Sequence, residues 1–113
     1  MSGDRSRPLI EKKSSMKKLE SETNVETLTV RITGKVQGVG FRIATVRHAH
    51  SLGIAGWVRN LDDGAVEALL QGAHDRIDEM LSWLRVGPPA ARVDEVESRE
   101  VQDDRRYDRF EQI

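Results

Sequence analysis

The sequence predicts an α+β fold, a two-layer sandwich in which an antiparallel sheet carries two helices on one face. Three observations point there. Segments with period-2 apolar alternation and segments with helical spacing follow one another as strand, helix, strand, strand, helix, strand. The two middle strands are joined by Asp62-Asp63-Gly64, the strongest turn signal in the chain, although the loop is expected to be longer than two residues. At 113 residues the chain is one domain with aliphatic side chains for a single modest core, so these elements must share it.

Residues 1–24 stand apart from this pattern. Lys12, Lys13, Lys17 and Lys18 lie among serines and acids, with Leu9, Ile10, Met16 and Leu19 as the sizeable apolar side chains. The stretch is expected to be a disordered extension, and the folded domain is expected to span 25–113. Glu11, Glu20 and Glu22 interrupt the basic charge, which argues against an arm for nucleic acid or membrane.

In Thr27–Thr33, Leu28, Val30 and Ile32 point one way and threonines and Arg31 the other, as in a half-buried strand. After a glycine-rich loop, Phe41, Thr45, Ala49 and Leu52 recur at helical spacing and Gly53 stops the run, which predicts a helix over Phe41–Leu52. Ile54–Asn60 and Ala65–Gln71 form the hairpin. Ile77, Met80, Leu81 and Leu84 then mark the core face of a second helix, predicted over His74–Val86 and stopped by Gly87-Pro88-Pro89. Val93 and Val96 begin a fourth strand. Its alternation falters between Ser98 and Glu100, where a bulge is expected. Asp103–Asp108 reads as a charged turn, and Tyr107, Phe110 and Ile113 suggest a short last strand that returns to the sheet. The order is the split βαβ arrangement, βαββαβ, of ferredoxin-like folds, with one strand added.

Such a fold serves many functions, so the site must decide. A net charge of −1 provides no global field toward nucleic acid or an anionic membrane, which favours a small partner. The absence of cysteine removes thiolate metal sites and the paired thiols of a metallochaperone, and three scattered histidines make a weak case for zinc. Aromatic residues make up only 4% of the chain, too few for an RNA-recognition sheet, and Trp57 and Trp83 are expected to pack. No apolar run is long enough to span a bilayer, and a cytoplasmic protein is expected.

The remaining feature is Gly34-Lys35-Val36-Gln37-Gly38-Val39-Gly40-Phe41-Arg42. Three glycines over seven residues let the backbone take up positive φ and turn several N–H groups toward one point, as an oxyanion requires. Arg42, at the start of a helix, adds a guanidinium that can bind phosphate through two hydrogen bonds beside the positive end of the helix dipole. By itself such an arginine is more often a solvated charge, and Asn60 by itself more often a turn residue. The loop lacks the Gly-Lys-Ser/Thr ending of a nucleotide-binding P-loop.

This segment resembles the first signature of the acylphosphatase family, and Gly56-Trp57-Val58-Arg59-Asn60-Leu61-Asp62-Asp63-Gly64-Ala65-Val66, continuing to Gly72, resembles the second. The resemblance extends from about Val30 to the C-terminus. It implies that the amides of Val36, Gln37, Gly38, Val39 and Gly40 bind phosphate together with Arg42, and that Asn60 orients the attacking water. Arg42 and Asn60 are then the catalytic pair. Gly56, Gly64 and Gly72 are assigned to close packing, the hairpin turn and a strand exit. The N-terminal extension and the Asp103–Asp108 turn have no clear counterpart in the family pattern. An acylphosphatase-like module also opens the hydrogenase-maturation carbamoyltransferases, but a stand-alone hydrolase is expected here.

The chemistry agrees with that implication. An acyl phosphate is a mixed anhydride whose carboxylate leaves without a proton at neutral pH, so the tasks are charge stabilisation and positioning. No nucleophile is needed. Ser51 has no base beside it in the sequence, which favours direct attack by water, with substrate-assisted proton transfer as the hypothesis for its proton. The expectation is an acylphosphatase acting as a monomer on a small-molecule acyl phosphate, with no metal or organic cofactor and no nucleic-acid or membrane partner. A non-catalytic anion-binding or regulatory module on the same fold is the alternative.

Overall fold

The structure, a computed structural model, describes residues 25–102 and 104–113, so the expectation of a disordered extension over 1–24 lies outside the described residues. The chain runs β1 (Val25–Lys35), α1 (Phe41–Leu52), β2 (Ala55–Asn60), β3 (Val66–Ala73), α2 (His74–Leu84), β4 (Arg92–Glu100) and β5 (Phe110–Gln112). The first helix has the predicted bounds. The second stops at Leu84, two residues short of the predicted Val86. There the amides of Val86 and Gly87 both turn back to the Trp83 carbonyl, at 2.9 and 2.8 Å. Val86 is 70% exposed, so no apolar burial favours another helical residue.

Register explains the layers. Ile32 pairs with Val66 and Val30 with Ala68, while Val58 on the other side of β3 is level with Ala68. All five are fully buried and point to one face, because alternate residues of a strand share a face. Phe41, Thr45 and Ala49 of α1 and Ile77, Met80 and Leu84 of α2 close the core over that face. The hydroxyl of buried Thr45 donates to the Phe41 carbonyl at 2.8 Å, so it is not left unpaired in the core. Trp83 packs against this core, with the His48 ring stacked on it at 4.8 Å.

The sheet order is β4-β1-β3-β2-β5. Four strands are antiparallel as expected, and the fifth makes the sheet mixed, since β5 runs parallel to β2. The reason is geometric. Glu100, at the end of β4, is level with Leu28; Leu28 with Leu70; Leu70 with Gly56; and Gly56 with Phe110, which opens β5. A chain that leaves β4 at this end and crosses to the far edge can only enter alongside β2 in the same direction. Gln71, only 4% exposed, holds the crossing segment: its Nε2 donates to the Thr27 hydroxyl and the Arg105 carbonyl, and its Oε1 accepts from the Tyr107 amide.

The bulge lies elsewhere than predicted. Ser98, Arg99 and Glu100 pair without interruption to Val30, Thr29 and Leu28. The register instead shifts where Thr33 pairs with Glu95 but Gly34 with Val93, which leaves Asp94 as the extra residue. The faltering alternation near Ser98 reflects an exposed edge strand, where few side chains need to be apolar.

Candidate active site

Between β1 and α1 the residues Val36 to Gly40 form a loop whose ends are anchored. Val36 is 1% exposed in the core, and Val39 packs against the core from the loop. Gly38 and Gly40 take left-handed φ values of 74° and 77°. A Cβ at either position would meet no atom within 4 Å, so these glycines are required by conformation rather than by space. Gly40 is the N-cap of α1. The cap makes no side-chain hydrogen bond, and the first turn contains no acidic residue. The first amides and the positive end of the dipole are therefore left for an anion.

Asn60 reaches the same place from the sheet. It is the exposed last residue of β2, before a turn held by several bonds. The Leu61 amide donates to the Ala65 carbonyl at 2.8 Å, and the Ala65 amide donates to the Asp63 carboxylate at 3.0 Å. Asp63 also forms an ion pair with Arg31. Both interactions favour the carboxylate, the Ala65 amide more than Arg31, and hold its pKa below the ordinary aspartate value. Gln37 then ties loop to turn. Its side-chain amide donates to the carbonyls of Leu61 at 2.8 Å and Ala65 at 2.9 Å, so the glycine loop and the turn after Asn60 keep one relative position.

The result is a pocket of about 110 Å³. Val36, Gly38 and Gly40 line it from the loop, Phe41, Arg42 and Ile43 from the first turn of α1, Asn60 from β2, and Gln112 from β5. Of the residues singled out in the sequence, Val36, Gly38, Gly40, Arg42 and Asn60 come together there. The side chains of Gln37 and Val39 are used for anchoring, and neither residue lines the pocket. Among the described residues the Arg42 guanidinium has no ion-pair or hydrogen-bond partner. Lys35 is exposed at the end of β1 and does not line the pocket.

Three lining residues were not among the site residues expected from the sequence: Phe41, which was read as a core residue of the helix, Gln112 and Ile43. A signal existed for Gln112, since it lies two residues after the buried Phe110 and so shares its face of a strand. Nothing local said which end of which neighbouring strand that face would meet. Ile43 is apolar but lies off the core face of α1, a pattern that usually means nothing by itself.

A larger cleft, of about 450 Å³, lies over Trp57 and Tyr107. It is a poor rival. The Arg59 guanidinium lies 5.2 Å from the Trp57 ring and that of Arg105 4.8 Å from the Tyr107 ring, so each aromatic already has a cation over it. Arg105, Arg106 and Arg109 line the cleft together with Asp108 and Glu111, and Arg109 is paired with Glu111 at 3.0 Å, so most of its charge is offset within it.

Comparison with known proteins bears on the same segment. The sequence model of the acylphosphatase family matches residues 28–112. An acylphosphatase of Paraburkholderia xenovorans is 64% identical over 91 residues, covering 80% of this chain and 94% of that protein. The structure of an acylphosphatase from Coxiella burnetii superposes with a TM-score of 0.78 at 37% identity, covering 83% of this chain and 98% of that one. The crystal structure of the acylphosphatase from Bacillus subtilis gives 0.76 at 31% identity, covering 78% of this chain and 98% of that one. With the pocket-forming loop, helix start and strand ends all inside the matched segment, the chain belongs to the acylphosphatase family and is an enzyme that hydrolyses acyl phosphates.

Proposed function

We propose that hydrolysis takes place in the pocket between the Gly34–Arg42 loop and Asn60, with the loop as phosphate-binding element. The carrying observation is that Asn60, distant in sequence, lines one small pocket with Gly38, Gly40 and Arg42 at an uncompensated helix N-terminus. In this reading the backbone amides from Val36 to Gly40 and the Arg42 guanidinium hold the phosphoryl oxygens, and their hydrogen bonds strengthen as charge redistributes onto those oxygens. Asn60 accepts from and donates to one water and aims it at phosphorus.

The water oxygen forms the new P–O bond while the P–O bond to the acyl group breaks, and the electron pair leaves with the carboxylate. The water's proton passes to a phosphoryl oxygen, so the products are a carboxylate and inorganic phosphate. No base is required in this scheme, and no side-chain nucleophile. Ser51, a candidate by residue type, donates its hydroxyl to the His48 carbonyl on an exposed turn of α1, away from the pocket.

In the same reading the protein is cytoplasmic and acts as a monomer on a small-molecule substrate, and its near-neutral charge supports the small partner over nucleic acid or an anionic surface. It also makes 25–113 the catalytic unit. The test is turnover of an aromatic acyl phosphate by the purified protein, followed by loss of absorbance. Retention of full activity by both Arg42→Ala and Asn60→Ala would show that the chemistry is done elsewhere. Removal of residues 1–24 is expected to leave turnover and Tm nearly unchanged, and a large drop in either would refute the assignment of a dispensable extension.

A further inference from the structure

We infer that Ile43 is the residue that meets the acyl group of the substrate and sets preference among acyl phosphates. The inference rests on the assignment of the phosphate to the loop and Arg42. Volume comes first. A pocket of about 110 Å³ is smaller than a cavity of about 150 Å³ that takes up a single benzene ring. A phosphoryl group and one attacking water fill that space. The acyl group therefore projects out of the pocket and touches its rim.

The rim has one apolar side chain of the required kind. Val36 and Phe41 are each 1% exposed and belong to the floor, whereas Ile43 lines the same pocket and is 52% exposed. A single exposed isoleucine is ordinary on a protein surface, but this one lines the same pocket as Arg42. Direction agrees with position. In-line displacement puts the attacking and leaving oxygens on opposite sides of phosphorus. With water held at Asn60, on the sheet side, the leaving carboxylate faces the α1 side, from which Ile43 comes.

An acyl group with a ring or a long chain covers Ile43 and gains contact, while an acetyl group is too short to do so. The discrimination is modest, because an open rim removes only part of the apolar surface from water.

The experiment measures kcat/KM for benzoyl phosphate and acetyl phosphate with the parent chain, Ile43→Ser, Ile43→Leu and Arg42→Ala. The ratio of benzoyl to acetyl phosphate is expected to fall about fivefold in Ile43→Ser and to persist in Ile43→Leu, with Tm shifting little since the side chain is half-exposed. A ratio in Ile43→Ser within twofold of the parent value overturns the inference. Arg42→Ala separates the two claims: it should depress both substrates alike, and full activity in that variant would sink the phosphate assignment instead.

Discussion

The fold contains two strand-to-helix junctions, and they are built differently. Between β1 and α1 the chain inserts the five residues Val36 to Gly40, whereas β3 passes directly into α2 from Ala73 to His74. Neither helix has a side-chain N-cap. At α2, however, Asp75 occupies the first turn, and His74 bonds to Glu26 at 2.7 Å and lies 3.3 Å from Asp78, so the positive end of that helix is already answered by carboxylates. At α1 no acid is present, Gly40 turns the backbone into the left-handed region, and Arg42 adds positive charge where the dipole disfavours it. A free enzyme gains nothing from that arrangement. An anionic substrate does, and the contrast shows that the split βαβ layout supplies two equivalent places while the residues equip only one.

The contrast can be broken most severely at Arg42. Arg42→Ala removes the charge specific to the first junction and is expected to lower kcat/KM about a thousandfold, with Asn60→Ala lowering it about a hundredfold, measured on an aromatic acyl phosphate. Both residues are at least partly exposed, so Tm should move little. A loss of the same size from Asp75→Ala, at the second junction, would erase the distinction.

Gln37→Ala is next. It leaves every proposed phosphate ligand in place but cuts the two bonds that join loop and turn, at a stability cost of about 1 kcal/mol. Activity should drop about tenfold because positioning is lost, and undiminished kcat/KM would mean that the loop keeps its place unaided. Gly40→Ala forces a side chain into a left-handed conformation at a cost of about 1 kcal/mol, and a Tm decrease of roughly 4–8 °C is expected in thermal melts.

The smallest effect belongs to the second junction. Hydrogen bonding to Glu26, then the charge of Asp78, raise the pKa of His74 above the ordinary histidine value. The stabilisation is therefore complete below about pH 6.5 and fades as pH rises through the raised folded-state pKa. His74→Ala should slightly flatten the decline of Tm with rising pH above that point, without changing kcat, and an altered pH–rate profile would couple this junction to the chemistry after all. The exposure of the pair keeps the effect small.

What could be read in the chain was local. Residues Phe41, Thr45, Ala49 and Leu52 at helical spacing with Gly53 beyond were enough to bound α1, because burial of one face and a glycine C-cap are short-range requirements. The two motif segments pointed to Arg42 and Asn60, and both line the pocket. Gln37 showed its limit: its type suggested nothing about a side chain spanning to Leu61 and Ala65, since those partners are 24 and 28 positions away.

Register and direction were decided only in three dimensions. The periodicity of β4 could not locate the bulge at Asp94, because that extra residue is defined by its mismatch with Thr33 and Gly34 on another strand. A three-residue β5 carries no sign of its own direction; the end of the sheet at which β4 stops makes it parallel to β2 and so brings Gln112 to the pocket. The sequence by itself determined the elements, the core faces and the loop suited to an anion. Which edge the last strand joins, and hence which side chains complete the rim, depended on pairings between distant segments, which local periodicity does not encode.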